Sequence, residues 1–323
     1  MGGNLAATTD DNNGVINLGT LAVDGTIALT TNGNGAATVV NDAGLNFAAS
    51  TVRGNLAATA TTGNMTDSGA LTITGTSSFT TSADSATITL NNANAFTGAV
   101  SLNTTGSSAH ATVVDASGLN LGASTVGGNL VATATTGNMT DSGALTVAGT
   151  TTLTTSANNA KIALDTTTNA FTGAVTITTN DDSGTDADVT IDGGTTALIL
   201  AASTIDGDLT VISGNSITDS GTLTVGGNLA ATTDANNGLI NLGTLAVDGT
   251  VQLTTNGSGN ATVVNDAGLT FAASTVGGNL AATATTGNMT DDGVLTIAGT
   301  SSFTTSQNNA DIILNNANAF TAA

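Results

Sequence analysis

Residues 244–255 read Thr244-Leu-Ala-Val-Asp-Gly-Thr-Val-Gln-Leu-Thr-Thr255. Leu245, Val247, Gly249, Val251 and Leu253 fall on one parity, and Ala246, Asp248, Thr250 and Gln252 on the other. A period of two is the mark of strands with one buried face. Leu145, Val147, Gly149, Thr151 and Leu153 repeat it. The same stretch also stands near the start of the chain, at 20–31, with two changes. Ile27 corresponds to Val251 on the apolar parity, a conservative swap, and Ala28 to Gln252 on the other, where a polar group costs little.

Working outward, residues 2–52 return as 226–276 with seven differences in 51 positions, and 53–99 return as 277–323. The chain is therefore built on a long period that carries 2–99 onto 226–323. Inside it runs a shorter motif, an apolar residue, any residue, then glycine, at Gly25, Gly54, Gly75, Gly98, Gly128 and onward to Gly299. Its shortest step is Gly207 to Gly227 and its longest Gly173 to Gly207. Turn residues separate the strands, above all Thr-Asp-[Ser/Asp]-Gly at 66–69, 140–143, 218–221 and 290–293. Asp and Gly suit tight turns, so most acids are expected to shape them. Short strands at this spacing predict an all-β parallel β-helix (β-solenoid) of about 13 coils of 20–34 residues, one per glycine step, as a single repeat domain over 1–323. In the long coils, such as 25–54 and 98–128, an added strand is expected at 44–47 and 118–121. Phe96, Phe171 and Phe320, and Met65, Met139 and Met289, are expected to form inward ladders. An antiparallel β-sandwich would need hairpin loops; the near-constant step and the absence of Pro favour the solenoid.

Composition removes most functions. Of 323 residues, two are Lys or Arg (Arg53 and Lys161), 23 are Asp, none is Glu, and the net charge is −21. Phosphate contacts need clustered cations, which excludes nucleic acid as a partner. No apolar run approaches the ~18 residues of a membrane-spanning helix, so membrane insertion is not expected. Met1-Gly-Gly-Asn-Leu5 does not read as a signal peptide. The single histidine, the lack of Cys, Trp and Tyr, and the near-absence of cations argue against an enzyme.

Two quoted segments carry a resemblance. Residues 126–147, Val126-Gly-Gly-Asn-Leu-Val-Ala-Thr-Ala-Thr-Thr-Gly-Asn-Met-Thr-Asp-Ser-Gly-Ala-Leu-Thr-Val147, and 94–105, Asn94-Ala-Phe-Thr-Gly-Ala-Val-Ser-Leu-Asn-Thr-Thr105, resemble the β-strand repeats of filamentous-haemagglutinin-like giant bacterial exoproteins. The resemblance covers essentially the whole chain. It implies a right-handed parallel β-helix, secretion, and a shaft segment of an adhesin or fibre at the bacterial cell surface or in an extracellular matrix, touching host or matrix surfaces. Neither the family's secretion domain nor an adhesive head is visible in the sequence.

The candidate sites are few. Asp181, Asp182, Asp186, Asp188 and Asp192 make the densest acid cluster; Ca²⁺ is the cation its oxygens suit, with Asp181, Asp182, Asp186 and Asp188 as ligands, and a solvated acidic turn is the competing reading. No cofactor is otherwise expected. Ser108, His110 and Asp115 are the right types for a hydrolase triad, though a lone histidine in a repeat protein is more often incidental. Thr59/Thr61, Thr72/Thr74, Thr133/Thr135 and Thr283/Thr285 would form an ice-binding or carbohydrate-binding face if they stacked. Finally, the repeats begin at Gly3 and break off at Ala323 without a polar cap, so the sequence predicts either a segment of a longer array or self-association end to end.

Overall fold

The computed structural model describes residues 2–180 and 187–322. It comprises two compact units, Met1–Ala157 and Asn158–Ala323. Each is a parallel β-solenoid, and no α-helix occurs among the described residues. Every turn lays one strand, or a split pair, in each of two sheets.

In the first unit one sheet stacks Leu45, Met65, Ile88, Ala111, Leu130 and Thr151 in a single inward column, six turns deep. All six are buried. The step between partners runs from 19 residues (Ala111 to Leu130) to 23 (Met65 to Ile88), and neighbouring strands lie about 4.8 Å apart. The opposite sheet stacks Leu56–Ala60, Ser77–Asp84 and Val100–Thr105 in the same way. In the second unit, Val189–Asp192, Leu209–Ser213, Leu229–Asn236 and Thr250–Asn256 form one sheet. Ile240–Val247, Ala261–Asn265, Leu280–Ala284 and Ser301–Thr305 belong to the other. Period-two alternation holds around the Gly249 motif: Leu245, Val247, Val251 and Leu253 are buried and Gln252 is exposed.

The described residues make about 15 turns, not 13. The difference lies in the long glycine steps. Gly25 leads into Thr26–Thr30 in one sheet, but the next motif glycine, Gly54, leads into Leu56–Ala60 in the opposite sheet. The steps 98–128, 173–207 and 249–278 change sheets likewise. A long step is thus a turn and a half, and four of them add two turns to 13. The pieces expected at 44–47 and 118–121 are not additions within a coil. Leu45–Phe47 and Leu119–Leu121 are strands of the intervening half-turn, paired with Met65–Asp67 and Met139–Asp141 on the next turn.

The motif glycines lie against the backbone of the preceding turn. A Cβ on Gly75 would come 2.5 Å from the carbonyl carbon of Gly54, and one on Gly98 would come 2.4 Å from the carbonyl oxygen of Gly75. Real side chains do not tolerate such distances, so the position accepts only glycine while the strands keep their spacing. Met65, Met139, Met289, Phe96 and Phe171 are buried as expected. Phe320 is 43% exposed on the last described turn, where Ile312 and Ile313 are exposed as well.

Candidate functional site

Of the predicted calcium ligands, Asp181, Asp182 and Asp186 lie outside the described residues. Asp188 forms an ion pair with Lys161, and its Oδ1 accepts a hydrogen bond from the Asp208 backbone N–H at 3.2 Å. Partial burial works to raise its pKa, but the Lys161 hydrogen bond, the Asp208 N–H and the Lys161 charge together hold it below the ordinary carboxylate value. Asp192 is buried, and its Oδ1 accepts from the Gly194 N–H at 2.7 Å. Among the described residues, no three His or Asp side chains converge as a metal site.

Ser108, His110 and Asp115 are not assembled into a triad. His110 Nδ1 accepts a hydrogen bond from the Asn129 N–H at 2.9 Å, which places the ring proton on Nε2. Asn260, at the matching place before Ala-Thr-Val-Val-Asn, does the same with Oδ1 for the Asn279 N–H at 2.8 Å. His110 therefore stands in for an asparagine; Asn55, Asn129, Asn228 and Asn279 each accept likewise from a backbone N–H one turn on. Asp115 points inward, fully buried. Its Oδ2 accepts from the Phe96 N–H at 3.2 Å, and its Oδ1 accepts from the Ser117 N–H and hydroxyl at 3.0 Å each. Desolvation raises its pKa in spite of these bonds.

The acids of Thr-Asp-[Ser/Asp]-Gly have a role that local sequence does not reveal. Asp67 accepts the N–H groups of Asn91 and Asn92 with its two oxygens, at 3.0 and 3.2 Å. Asp291 does so for Asn315 and Asn316, and Asp219 for Gly243 and Thr244. Where Asn91-Asn92 and Gly243-Thr244 stand, the register shifts at a bulge, which leaves backbone donors without ladder partners. One carboxylate from the preceding turn, 24 and 25 residues back, satisfies both. Threonine is used in a similar way. The buried Thr31, Thr104 and Thr255 each donate to a carbonyl four or five residues on and accept an N–H from the following turn.

The outward threonines stack in single file. Thr8, Thr30, Thr51 and Thr72 are register partners over four turns, as are their copies Thr232, Thr254, Thr275 and Thr296. The pairs picked out by spacing do not stack on one another. Thr59 belongs to one sheet of the first unit, and Thr72 and Thr133 to the other.

Among several shallow grooves on the surface, two are related by the long period. Gly19, Thr20, Leu21, Val40, Asp42 and Thr61 line one of about 370 Å³. Gly243, Thr244, Leu245, Val264, Asp266 and Thr285 line another of about 280 Å³. Thr222 also lines the second; each of its other residues is the copy, one long period on, of a residue in the first.

Fold and surface together define a β-solenoid repeat protein in which side chains tie each turn to the next. The family described as Repeats of unknown function (DUF5649) matches residues 34–103, 108–178, 186–240 and 258–323, and the chain belongs to it. No curated protein and no solved structure matches the chain. No helix among the described residues is long and apolar enough to cross a membrane.

Proposed function

We propose that the chain is a non-catalytic structural shaft, a segment of a secreted bacterial cell-surface or matrix fibre of the filamentous-haemagglutinin-like kind. The observation that carries this reading is the use made of the reactive side chains. His110, Asp67, Asp219, Asp291 and Asp115 each bond backbone groups of another turn, so the chemistry-bearing residues serve cohesion. Self-association end to end, or membership of a longer array of the same repeats, belongs to this reading.

The test is electron microscopy of tandem versions holding one, two and three copies of residues 2–225. A shaft lengthens by a fixed increment per copy at constant width. Particles that instead grow in all dimensions would overturn it.

The single-file ladders of Thr8 to Thr72 and Thr232 to Thr296 favour a second reading, a face that orders water or binds carbohydrate. Thermal hysteresis in the purified protein would support its ice-binding form, and replacing Thr30 and Thr51 with Val would then alter it.

A further inference from the structure

The twin grooves are built features. Gly19-Thr20 and Gly243-Thr244 sit where the strand register shifts, between Leu18 and Leu21 and between Leu242 and Leu245. The bulge puts a residue without a side chain at the groove wall. A Cβ on Gly243 would meet nothing within 4 Å, and one on Gly19 only the Asn17 side chain at 3.8 Å. Leu21 and Val40 form a half-buried apolar floor, and Asp42 stands exposed beside it with Thr20 and Thr61. The middle of the chain supplies a contrast. The corresponding bulge there carries Asn91-Asn92, and after Val114-Asp115 the place of Asp42 is taken by Ala116. Open glycine and exposed acid occur together in both grooves and are both replaced in the middle segment.

We propose that each groove binds the side chain of a lysine or arginine from a cationic protein partner. A lysine or arginine has an apolar stem ending in a charge, and such side chains lay their methylenes on apolar surface while the head stays at the polar rim. Leu21 and Val40 match the stem, and the Asp42 carboxylate and the Thr20 and Thr61 hydroxyl oxygens match the donors of the head; in the second groove Val264, Asp266 and Thr285 repeat the arrangement, while Leu245 is buried and leaves Val264 as the half-buried apolar contact. A net charge of −21 with two cationic residues in the whole chain favours a polycation as partner and draws it to the surface. This site does not depend on the shaft reading: a shaft and a globular particle could both carry it.

The experiment is calorimetric titration of the full chain with decalysine, and with a decamer of 2,4-diaminobutyrate, which has the same charge on a shorter stem, at physiological salt. The groove predicts tighter binding of decalysine by about tenfold or more. Asp42→Asn with Asp266→Asn should weaken decalysine binding about tenfold. Gly19→Leu with Gly243→Leu, which fills the grooves at unchanged charge, should do the same. Asp24→Asn with Asp248→Asn, an equal loss of charge outside the grooves, should leave it within about twofold. Circular dichroism checks that each variant keeps its β content. Equal affinity for the two decamers, undiminished binding by the filled variant, or an equal loss in the Asp24/Asp248 control would overturn the proposal and leave only diffuse electrostatic attraction.

Discussion

Asp67 Oδ2 accepts a hydrogen bond from Asn94 Nδ2 at 2.8 Å across 27 residues of chain, and their copies Asp291 and Asn318 meet at 2.7 Å. The same carboxylates hold the two backbone N–H groups of the adjoining bulge. Each acid therefore fastens three donors of the following turn.

Asp67→Ala should leave the buried Asn94 amide and the partly exposed bulge N–H groups without that partner, at a cost of about 1–3 kcal/mol, most of it at Asn94. Hydrogen exchange at Asn91 and Asn92 reads this locally, and both amides should lose protection while those of Leu130–Ala134 keep theirs. At Asp291, burial works to raise the pKa, but the bonds from Asn318, Asn315 and Asn316 outweigh it and hold the group below its ordinary value. A lowered folded-state pKa contributes stability above the unfolded value, and that stability is lost as pH falls through the folded one. The wild-type advantage over Asp291→Ala should shrink accordingly on acidification below the ordinary carboxylate range.

Asp115 works in the opposite sense. Asn41 and Asn265 occupy its place in the other two copies of Ala-Thr-Val-Val-[Asn/Asp], and each amide both donates to and accepts from the backbone of Val23 or Val247. Asp115 cannot donate when ionised, and Ser117, which is Ala in those copies, compensates in part. Asp115→Asn with Ser117→Ala should therefore stabilise the fold by about 1 kcal/mol near neutral pH. Because burial raises the Asp115 pKa, the wild type is penalised above that value and relieved below it. Denaturant titrations should show the variant's gain at pH 7 and a smaller gain at pH 3.

His110→Asn should be neutral, within about 0.5 kcal/mol, since Asn260 makes the equivalent bond. A thermal melt checks it. A large loss of stability would mean that the ring makes contacts beyond the Asn129 N–H.

Much of this architecture is legible in the sequence. The alternation around Gly249 and Gly149 identifies strands and their inward faces, because burial acts on each side chain where it stands. The turn count is not legible in the same way. A motif glycine is required wherever backbone lies directly above it, and Gly54 meets that condition in one sheet just as Gly25 does in the other. The strand at Leu45–Phe47 is the trace of the half-turn in that stretch, but spacing alone reads it as an addition within one coil. The Asp67, Asp219 and Asp291 clamps were hidden for a related reason. Their partners are bulge amides 24 to 25 residues away, and the bulge exists only once the turns are stacked. The twin grooves had one available signal, the Gly-Thr-Leu and Asn-Asp-Ala-Gly segments kept identical in both long copies.

The central claim is that each turn is held by its neighbours through side chains given over to cohesion, and pulling a single molecule by its two ends tests it most directly. Nearest-neighbour cohesion predicts extension in increments of about 21 residues, or roughly 70 Å of contour, at a force lowered by Asp67→Ala and Asp291→Ala. Release of a whole unit in one event, at a force these substitutions leave unchanged, would contradict it.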